Sequence, residues 1–281
     1  MYEEIERAMM PDEKITFIVP VYNTREYVTR CLQSIQKQTV SNFRVLVFND
    51  GSSDGSDEIA KDFCMNDSRF SFYSHQNIGL GPTRNIGVAL SETKLVSFID
   101  SDDFIHEQFI EKMMPKHDGV DLSICSRNFL YHNEVKDVVY KPLKENQMTS
   151  VYEHFNVSVT NKVLKKNDIL RLGGFTTGPF EDLLVGVKLL LNAKTIQVEE
   201  TPLYFVEKRN ENSITSQLNE EEYQLVINLE RVSRYLHAHN IDELNNWRRY
   251  SKSVARYYIY KHLKKKKFSI PLLLKALRIA I

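Results

Sequence analysis

Three carboxylates follow a short apolar run in the first half of the chain. Asp100, Asp102 and Asp103 lie within four positions, directly after Val96–Ile99. Carboxylates at this spacing repel one another and raise one another's pKa unless a cation lies among them. A hard divalent cation with oxygen ligands is the simplest such partner, and proteins commonly bind it together with phosphate groups. The sequence therefore predicts a polar site for a metal and a phosphate at this point.

A second polar loop, Asn49–Ser56, also follows an apolar run. The run before it, at 43–48, and the earlier run at 15–19, which Pro20 stops, are typical of buried parallel strands. Ligands of open parallel sheets bind beyond the carboxyl ends of the strands. We therefore expect the two acidic loops to converge on one site.

Strands and helices alternate through the first half of the chain, which indicates right-handed βαβ units and a mostly parallel sheet covered on both faces. Strands are predicted at 15–19, 43–48, 70–74 and 95–99, and helices at 24–37, 56–65, 79–90 and 106–114. Later we expect a hairpin at 122–131 and 135–141, a helix at 180–191, strands at 195–198 and 203–206, and an amphipathic helix at 220–238. The predicted fold class is α/β.

Composition excludes several classes of protein. The 281 residues are 42% hydrophobic and carry a formal net charge of zero, so no global field points to nucleic acid. Cys31, Cys64 and Cys125 are odd in number and far apart, which argues against a disulfide framework or a zinc site. The acidic stretch 1–14 does not resemble a signal peptide, and no run approaches the ~20 apolar residues of a spanning helix. We expect a cytoplasmic protein.

Four motifs in this order resemble the family 2 glycosyltransferases of GT-A fold. They are Ile18–Asn23, Asn49–Ser56, Asn77–Asn85 and Asp100–Asp103. The resemblance continues more loosely through Gly178–Asp182 and Arg209–Thr215. It implies a Rossmann-like, mostly parallel sheet with flanking helices. It also implies transfer of a sugar from a nucleoside diphosphate donor, most often with inversion at the anomeric carbon.

The resemblance also implies a division of the chain. Residues 1–216 would form the GT-A domain, with the nucleotide-sugar part at about 14–105 and the acceptor part at about 106–216. Residues 217–281 would form a basic, helical C-terminal extension.

The first two motifs imply the residues that hold the nucleobase. By resemblance these are Pro20, Val21, Tyr22 and Asn23, together with Asp50. The assignment is physically reasonable, because a carboxylate can accept the N3–H of uracil while a neighbouring ring stacks on the base. The alternative is that Asp50 caps a turn, as Asn-Asp-Gly sequences commonly do, and that Tyr22 only packs.

The fourth motif matches the DxD motif of the family. Asp100 and Ser101 would then face the ribose or a metal-bound water, and Asp102 would ligate a Mn²⁺ or Mg²⁺ ion bridging the diphosphate. Asp103 is ambiguous, because it is also placed to cap the following helix. Arg84 would lie near the donor, either pairing with a DxD carboxylate or reaching the phosphates, since a guanidinium suits both.

Two later segments imply catalytic and phosphate-binding residues. The family places its general base at the position of Asp182, with Glu181 structural or acceptor-binding; the alternative is that both acids only favour a helix N-terminus. Arg209 would contact the diphosphate from a closing loop, the alternative being a solvated charged loop. Relatives often carry a histidine near Asn210, and this chain does not.

The C-terminal 31 residues, Ser251–Ile281, carry nine Lys or Arg and no acid. Basic residues next to an apolar segment favour attachment to an anionic membrane surface. The alternative is a solvated helix face that packs on the domain or on a second subunit. Nucleic-acid binding is not expected, because no recognition motif accompanies the charge.

Together these features predict an inverting, metal-dependent glycosyltransferase. It would move a sugar from a UDP-sugar to a hydroxyl of a glycan, a lipid-linked glycan or a teichoic-acid-like acceptor, in the cytoplasm or at the inner face of the membrane. A GDP-, dTDP- or CDP-linked donor is the alternative within the same fold. A catalytically weak binding or scaffold subunit is the alternative outside enzymes, since the missing histidine leaves it open.

Overall fold

A nine-stranded mixed sheet forms the centre of the computed structural model, which describes residues 14–132, 134–142, 155–178, 180–208, 223–239 and 252. Within these residues the strands are β1 (Ile15–Val21), β2 (Phe43–Asp50), β3 (Phe70–His75), β4 (Leu95–Phe98), β5 (Phe104–Ile105), β6 (Leu122–Leu130), β7 (Val135–Val138), β8 (Lys162–Lys165) and β9 (Ile196–Glu207). The helices are α1 (Val28–Gln36), α2 (Ser56–Met65), α3 (Leu80–Leu90), α4 (Phe109–Met113), α5 (Lys166–Arg171), α6 (Leu183–Asn192) and α7 (Tyr223–Ala238).

The sheet has a parallel half and a mixed half. The strand order is β3-β2-β1-β4-β8-β6-β9-β5, and β7 pairs with β6 outside this path. β3, β2, β1 and β4 are all parallel, as the alternating pattern predicts. β8 runs antiparallel to both β4 and β6, whereas β6 and β9 are parallel. The prediction of an α/β fold with flanking helices is therefore confirmed, with the parallel order broken at β8.

Two hydrophobic cores cover the two faces of the sheet. In β1, Phe17 and Val19 lie in one core and Ile18 lies in the other, and all three are fully buried. Helices α1, α2 and α4 cover the first face, and α3, α5, α6 and α7 cover the second. Every residue of β1 is buried, and burial on both faces explains why this strand is a nearly continuous apolar run.

The predicted elements agree with the observed ones in the first half and diverge later. Two predicted strands, at 195–198 and 203–206, are one strand, β9, which shifts register against β6 around Ser126. The helix predicted from residue 24 begins at Val28, because Thr24 forms a turn first and accepts hydrogen bonds from the N–H groups of Tyr27 and Val28. β5, β8 and α5 are too short to give a periodic signal and were not predicted.

Several bulk predictions can be compared with the described residues. All three cysteines are buried and free, so no disulfide joins them. Among the helices of the described ranges, none is long and apolar enough to cross a bilayer. The helix predicted at 220–238 is confirmed as α7. The basic segment 251–281 lies outside the described residues, apart from Lys252.

Candidate active site

The carboxyl ends of β1, β2 and β4 meet at one edge of the sheet. Their parallel register places Val21 beside Asn49 and Ile18 beside Phe98, so the loops that follow lie next to one another. The hydroxyl of Thr24 donates to the Ser101 hydroxyl over 2.9 Å, which joins the loop after β1 to the loop after β4. The N–H of Thr24 also donates to Ser56 Oγ over 3.1 Å, so the two acidic loops lie at the same edge of the sheet, as expected.

Asp50 organises the turn before α3. Its side chain is buried, and its two oxygens accept the backbone N–H of Ile78 over 2.8 Å and of Gly79 over 3.0 Å. Gly79 has a φ of 91°, a conformation that glycine adopts without steric cost. Asp50 thus caps the turn before α3, whereas in its own Asn-Asp-Gly loop it is Asn49 Oδ1 that accepts the N–H of Ser52. A carboxylate has about four acceptor sites, so these two bonds leave capacity for a ligand N–H.

The segment after β1 contains both buried and open positions. Pro20 and Val21 are buried within β1, whereas Tyr22 is 47% exposed directly beyond the strand end. Asn23 has a φ of 51°, and its side-chain oxygen accepts the N–H of Ser53 over 2.9 Å. Asn23 therefore joins the loops after β1 and β2, and Tyr22 presents an open aromatic face next to them.

Arg84 lies at the centre of the site and is only 2% exposed. Its Nη2 donates to Asp100 Oδ1 over 2.6 Å, and its Nη1 donates to Glu181 Oε1. Burial opposes the charge of Arg84, but the carboxylates of Asp100, Glu181 and Asp182 outweigh it and raise the guanidinium pKa. Of the two interpretations of Arg84, the structure shows carboxylate pairing. One guanidinium thus joins the loop after β4 to the segment before α6.

Glu181 is a buried acid. Burial raises the pKa of its carboxyl group, Arg84 opposes that rise, and Asp182 and Asp100 add to it. Glu181 faces Arg84 from within the protein, whereas the side chain of Asp100 is 34% exposed. The two carboxylates on the guanidinium therefore differ in access to solvent, and Asp100 is the one open to a ligand.

Asp103 has a structural position rather than the predicted capping one. It is followed by strand β5, and its Oδ1 accepts the N–H of Glu207 over 2.8 Å, so the capping interpretation is wrong. Burial raises the pKa of Asp103, and the charges of Asp102 and Asp100 add to the increase. The hydroxyl of Tyr204 accepts the N–H of Asp100 over 3.2 Å and bonds to Asp103 from β9. Asp103 thereby fixes the acidic loop to the sheet.

The acidic loop fits a cation that arrives with a phosphate ligand. In the described ranges, no three His, Cys, Asp or Glu side chains form a preformed metal cage. Asp100 and Asp102 are the partly exposed acids of the loop. Burial raises the pKa of the Cys31 thiol, and Asp103, Asp102 and Asp100 add to it, as expected for concentrated negative charge. Mg²⁺ sites often use one or two carboxylates completed by phosphate oxygens and water, which matches this donor set.

Asp182 immediately precedes α6 and is held by a neighbouring turn. Its Oδ2 accepts the hydroxyl of Ser158 over 2.8 Å and the N–H of Val159 over 3.2 Å. The buried Lys162 ammonium donates to the carbonyls of Asn156, over 2.8 Å, and Ser158, so it fixes the turn that holds Asp182. Burial lowers the pKa of Lys162 to about 7; Arg127 lowers it further, and Asp182 opposes the change.

Sequence reasoning missed Lys162 and the links that fix the acidic loop. A lysine beside the apolar residues Val163 and Leu164 is the signal that could have identified Lys162. A salt bridge of 3.1 Å between Arg30 and Glu207 had no such signal, because its partners lie 177 positions apart. Arg209, predicted to contact the diphosphate, lies outside the described residues.

Comparisons with known sequences identify the family of the chain. A sequence model described as Glycosyl transferase family 2 matches residues 16–182. Glycosyltransferase GlyA of Streptococcus pneumoniae serotype 4 is 36% identical over 162 residues, which cover 57% of this chain and 23% of GlyA. Putative glycosyltransferase EpsH of Bacillus subtilis is 38% identical over 118 residues, which cover 42% of this chain and 34% of EpsH. The matched part of the chain thus spans 23% of the length of GlyA and 34% of the length of EpsH.

Solved structures share the fold. The crystal structure of residues 1–349 of TarS from S. aureus in complex with UDP-GlcNAc superposes with a TM-score of 0.70 at 22% identity, covering 94% of this chain and 79% of that fragment. The mannosyltransferase PcManGT from Pyrobaculum calidifontis, in complex with GDP-Man and Mn²⁺, gives a TM-score of 0.58 at 15% identity, covering 95% of this chain and 86% of that one. At these identities the similarity concerns the fold.

Proposed function

The chain belongs to glycosyl transferase family 2, and from that premise we propose that it transfers a sugar from a UDP-sugar to an acceptor hydroxyl with inversion. The observation that carries the proposal is the Arg84 bridge. It places Asp100, on the donor-side loop, and Glu181, directly before Asp182, on the two ends of one guanidinium. A donor bound at the strand ends would therefore have the candidate base beside it.

The donor would lie across the carboxyl ends of β1, β2 and β4. Tyr22 would stack on the base, Asp50 would accept the uracil N3–H with its remaining lone pairs, and Pro20, Val21 and Asn23 would shape the pocket wall. Asp100 and Ser101 would face the ribose. A Mn²⁺ or Mg²⁺ ion held by Asp102 and the diphosphate would neutralise charge on the departing UDP. Arg209 would contact the same phosphates.

Asp182 would act as the general base. Ser158 and Val159 hydrogen-bond to its Oδ2, which fixes the carboxylate and leaves Oδ1 to accept the proton of the attacking hydroxyl. Attack on the anomeric carbon in line with the departing diphosphate would invert its configuration. Glu181 would act through Arg84, by holding the guanidinium in place.

The acceptor would be a glycan, a lipid-linked glycan or a teichoic-acid-like polymer. We also propose that residues 1–216 contain both the donor and the acceptor parts. The basic residues 251–281 would then bind the protein to an anionic membrane surface. A GDP-sugar is the alternative donor, because a structure of the same fold is in complex with GDP-Man and Mn²⁺.

The test is nucleotide release from a panel of UDP- and GDP-sugars with Mn²⁺ or Mg²⁺, for wild type beside Asp182→Asn. We expect metal-dependent UDP release from one donor, and loss of that release in the variant with unchanged UDP affinity. A rate of UDP release that is the same with and without metal would refute the proposed role of Asp102. The absence of any UDP or GDP binding in calorimetry would refute the donor site itself.

A further inference from the structure

A wide, open cationic cleft lies between α6 and α7, next to the segment that carries the candidate base. Its volume is about 420 Å³, and it is lined by Thr176, Leu184, Lys188, Arg231, Arg234 and Tyr235. Three of these six described residues are basic and none is acidic. The cleft is therefore a concentration of positive charge in a chain whose formal net charge is zero.

The cleft is anchored to the segment that carries Asp182. The side-chain amide of Asn228, on α7, donates to the carbonyl of Phe180 over 3.0 Å. Arg231 Nη1 in turn donates to Asn228 Oδ1 over 3.1 Å. On the opposite wall, the hydroxyl of Thr176 donates to the carbonyl of Glu181 over 3.1 Å. Both walls are therefore tied to backbone groups one or two residues before Asp182.

The lining residues suit a phosphate group. Arginine guanidinium groups stay charged at all working pH values and present paired N–H donors that match phosphate oxygens. Arg231 is half-buried and Arg234 is exposed, so the pair extends from the cleft wall to its mouth. Lys188 Nζ lies 5.1 Å from the centre of the Tyr235 ring and donates to the carbonyl of Leu172. Burial lowers the pKa of Lys188, so the two arginines supply the constant charge.

We propose that this cleft binds a phosphate group of the acceptor and so positions its hydroxyl toward Asp182. The inference rests on the proposed transferase function and adds the chemical class of the acceptor. The phosphate would belong either to a phosphodiester-linked polymer or to the lipid phosphate of a lipid-linked glycan. An uncharged glycan would gain nothing from the two arginines.

The test is equilibrium binding of two probes to the full chain in the presence of saturating UDP. One probe is a short glycerol-phosphate oligomer, and the other is undecaprenyl phosphate in detergent micelles. Arg231→Gln and Arg234→Gln should each weaken binding of at least one probe about tenfold, the loss expected for one charge-assisted hydrogen bond. Arg234→Lys keeps the positive charge but loses the paired N–H donors of the guanidinium group, so its loss of probe affinity should be smaller. Arg171→Gln, in a surface pair with Asp168, is the matched control and should bind as wild type does.

The outcomes separate the cleft from the donor site. Binding of the oligomer alone assigns a polymer acceptor, binding of the lipid alone assigns a lipid-linked one, and each supports a phosphate site. The proposal is overturned if wild type binds neither probe, if the glutamine variants bind as wild type does, or if omitting UDP strengthens probe binding, as competition for the donor site would. Since Arg234 is exposed, Arg234→Gln should remain folded, which circular dichroism can verify. A chain that binds probe but never UDP would refute the transferase proposal while leaving the cleft intact.

Discussion

Replacing Arg84 by methionine should destabilise the protein strongly. The substitution fills a similar volume but leaves Glu181, a 5% exposed carboxylate, without its cation. Removing one partner of a buried ion pair typically costs about 3–5 kcal/mol. Asp100 should add little to that loss, because its side chain is 34% exposed and water can solvate it. The expected loss is therefore about 4 kcal/mol, mainly at Glu181.

Urea unfolding followed by circular dichroism measures this loss. At an m-value of about 3 kcal/mol/M, a loss of about 4 kcal/mol lowers the midpoint by about 1.3 M. The double variant Arg84→Met/Glu181→Gln should recover most of it, because a neutral amide beside methionine needs no counter-charge. Glu181→Gln alone is the remaining corner of the cycle, and it isolates the coupling between the two side chains.

The change in the stability of Arg84→Met with pH is a second test of the ion-pair argument. An unpaired buried carboxylate has a raised pKa in the folded state, so the folded variant binds a proton that the unfolded chain has released. The stability of Arg84→Met should therefore increase as pH falls, by up to about 1.4 kcal/mol per pH unit, and approach that of the double variant. The ion-pair argument is wrong if the double variant is as unstable as Arg84→Met and if the difference in stability between wild type and Arg84→Met does not change with pH. The loss would then be one of packing.

Three further predictions concern the other parts of the site. Asp102→Asn should lower metal-dependent turnover at least 100-fold in the UDP-release assay, because the proposed metal would lose its carboxylate ligand. Gly186→Ala should lower stability by several kcal/mol in the same unfolding assay, because a Cβ there would overlap the backbone carbonyl of Val157. Lys162→Met should lower kcat about 100-fold with unchanged UDP affinity, because the turn that holds Asp182 loses its anchor. Burial lowers the pKa of Lys162 from 10.5 to about 7, so between pH 7 and pH 10 the unfolded chain binds more protons than the folded one. The stability of wild type relative to Lys162→Met should therefore increase as pH rises from 7 to 10.

The part of the fold that could be predicted from sequence is the part set by local patterns. β1, β2 and β4 are apolar runs that end in polar loops, and the rule for parallel sheets is enough to bring Asp50 and Asp100 to one edge. β8 could not be predicted, because four residues carry no period and its antiparallel pairing depends on the distant strands β4 and β6. The order of strands in the second half is therefore a property of the assembled sheet.

The site likewise combines features that local sequence predicts with features that depend on long-range packing. The motif order identifies Arg84 as a site residue, but the choice between phosphate and carboxylate depends on Glu181, which lies 97 positions away. Asp50 likewise follows a strand as predicted, yet its oxygens accept the N–H groups of Ile78 and Gly79 because the turn before α3 folds back over β2. Local sequence predicts which side chains reach the site, and long-range packing decides their partners.

Alkylation of the three free cysteines can measure local unfolding of the protein. Only a thiolate reacts readily with an alkylating reagent, and burial raises the pKa of Cys64 and Cys125 to about 12 and that of Cys31 well above its usual range. In the folded protein none of them should be alkylated at neutral pH, so the labelling rate of each counts how often its surroundings unfold. Cys31 Sγ donates to the backbone carbonyl of Asp100 over 3.5 Å, directly beneath the acidic loop. The labelling rate of Cys31 relative to that of Cys125 therefore measures how often the acidic loop separates from α1.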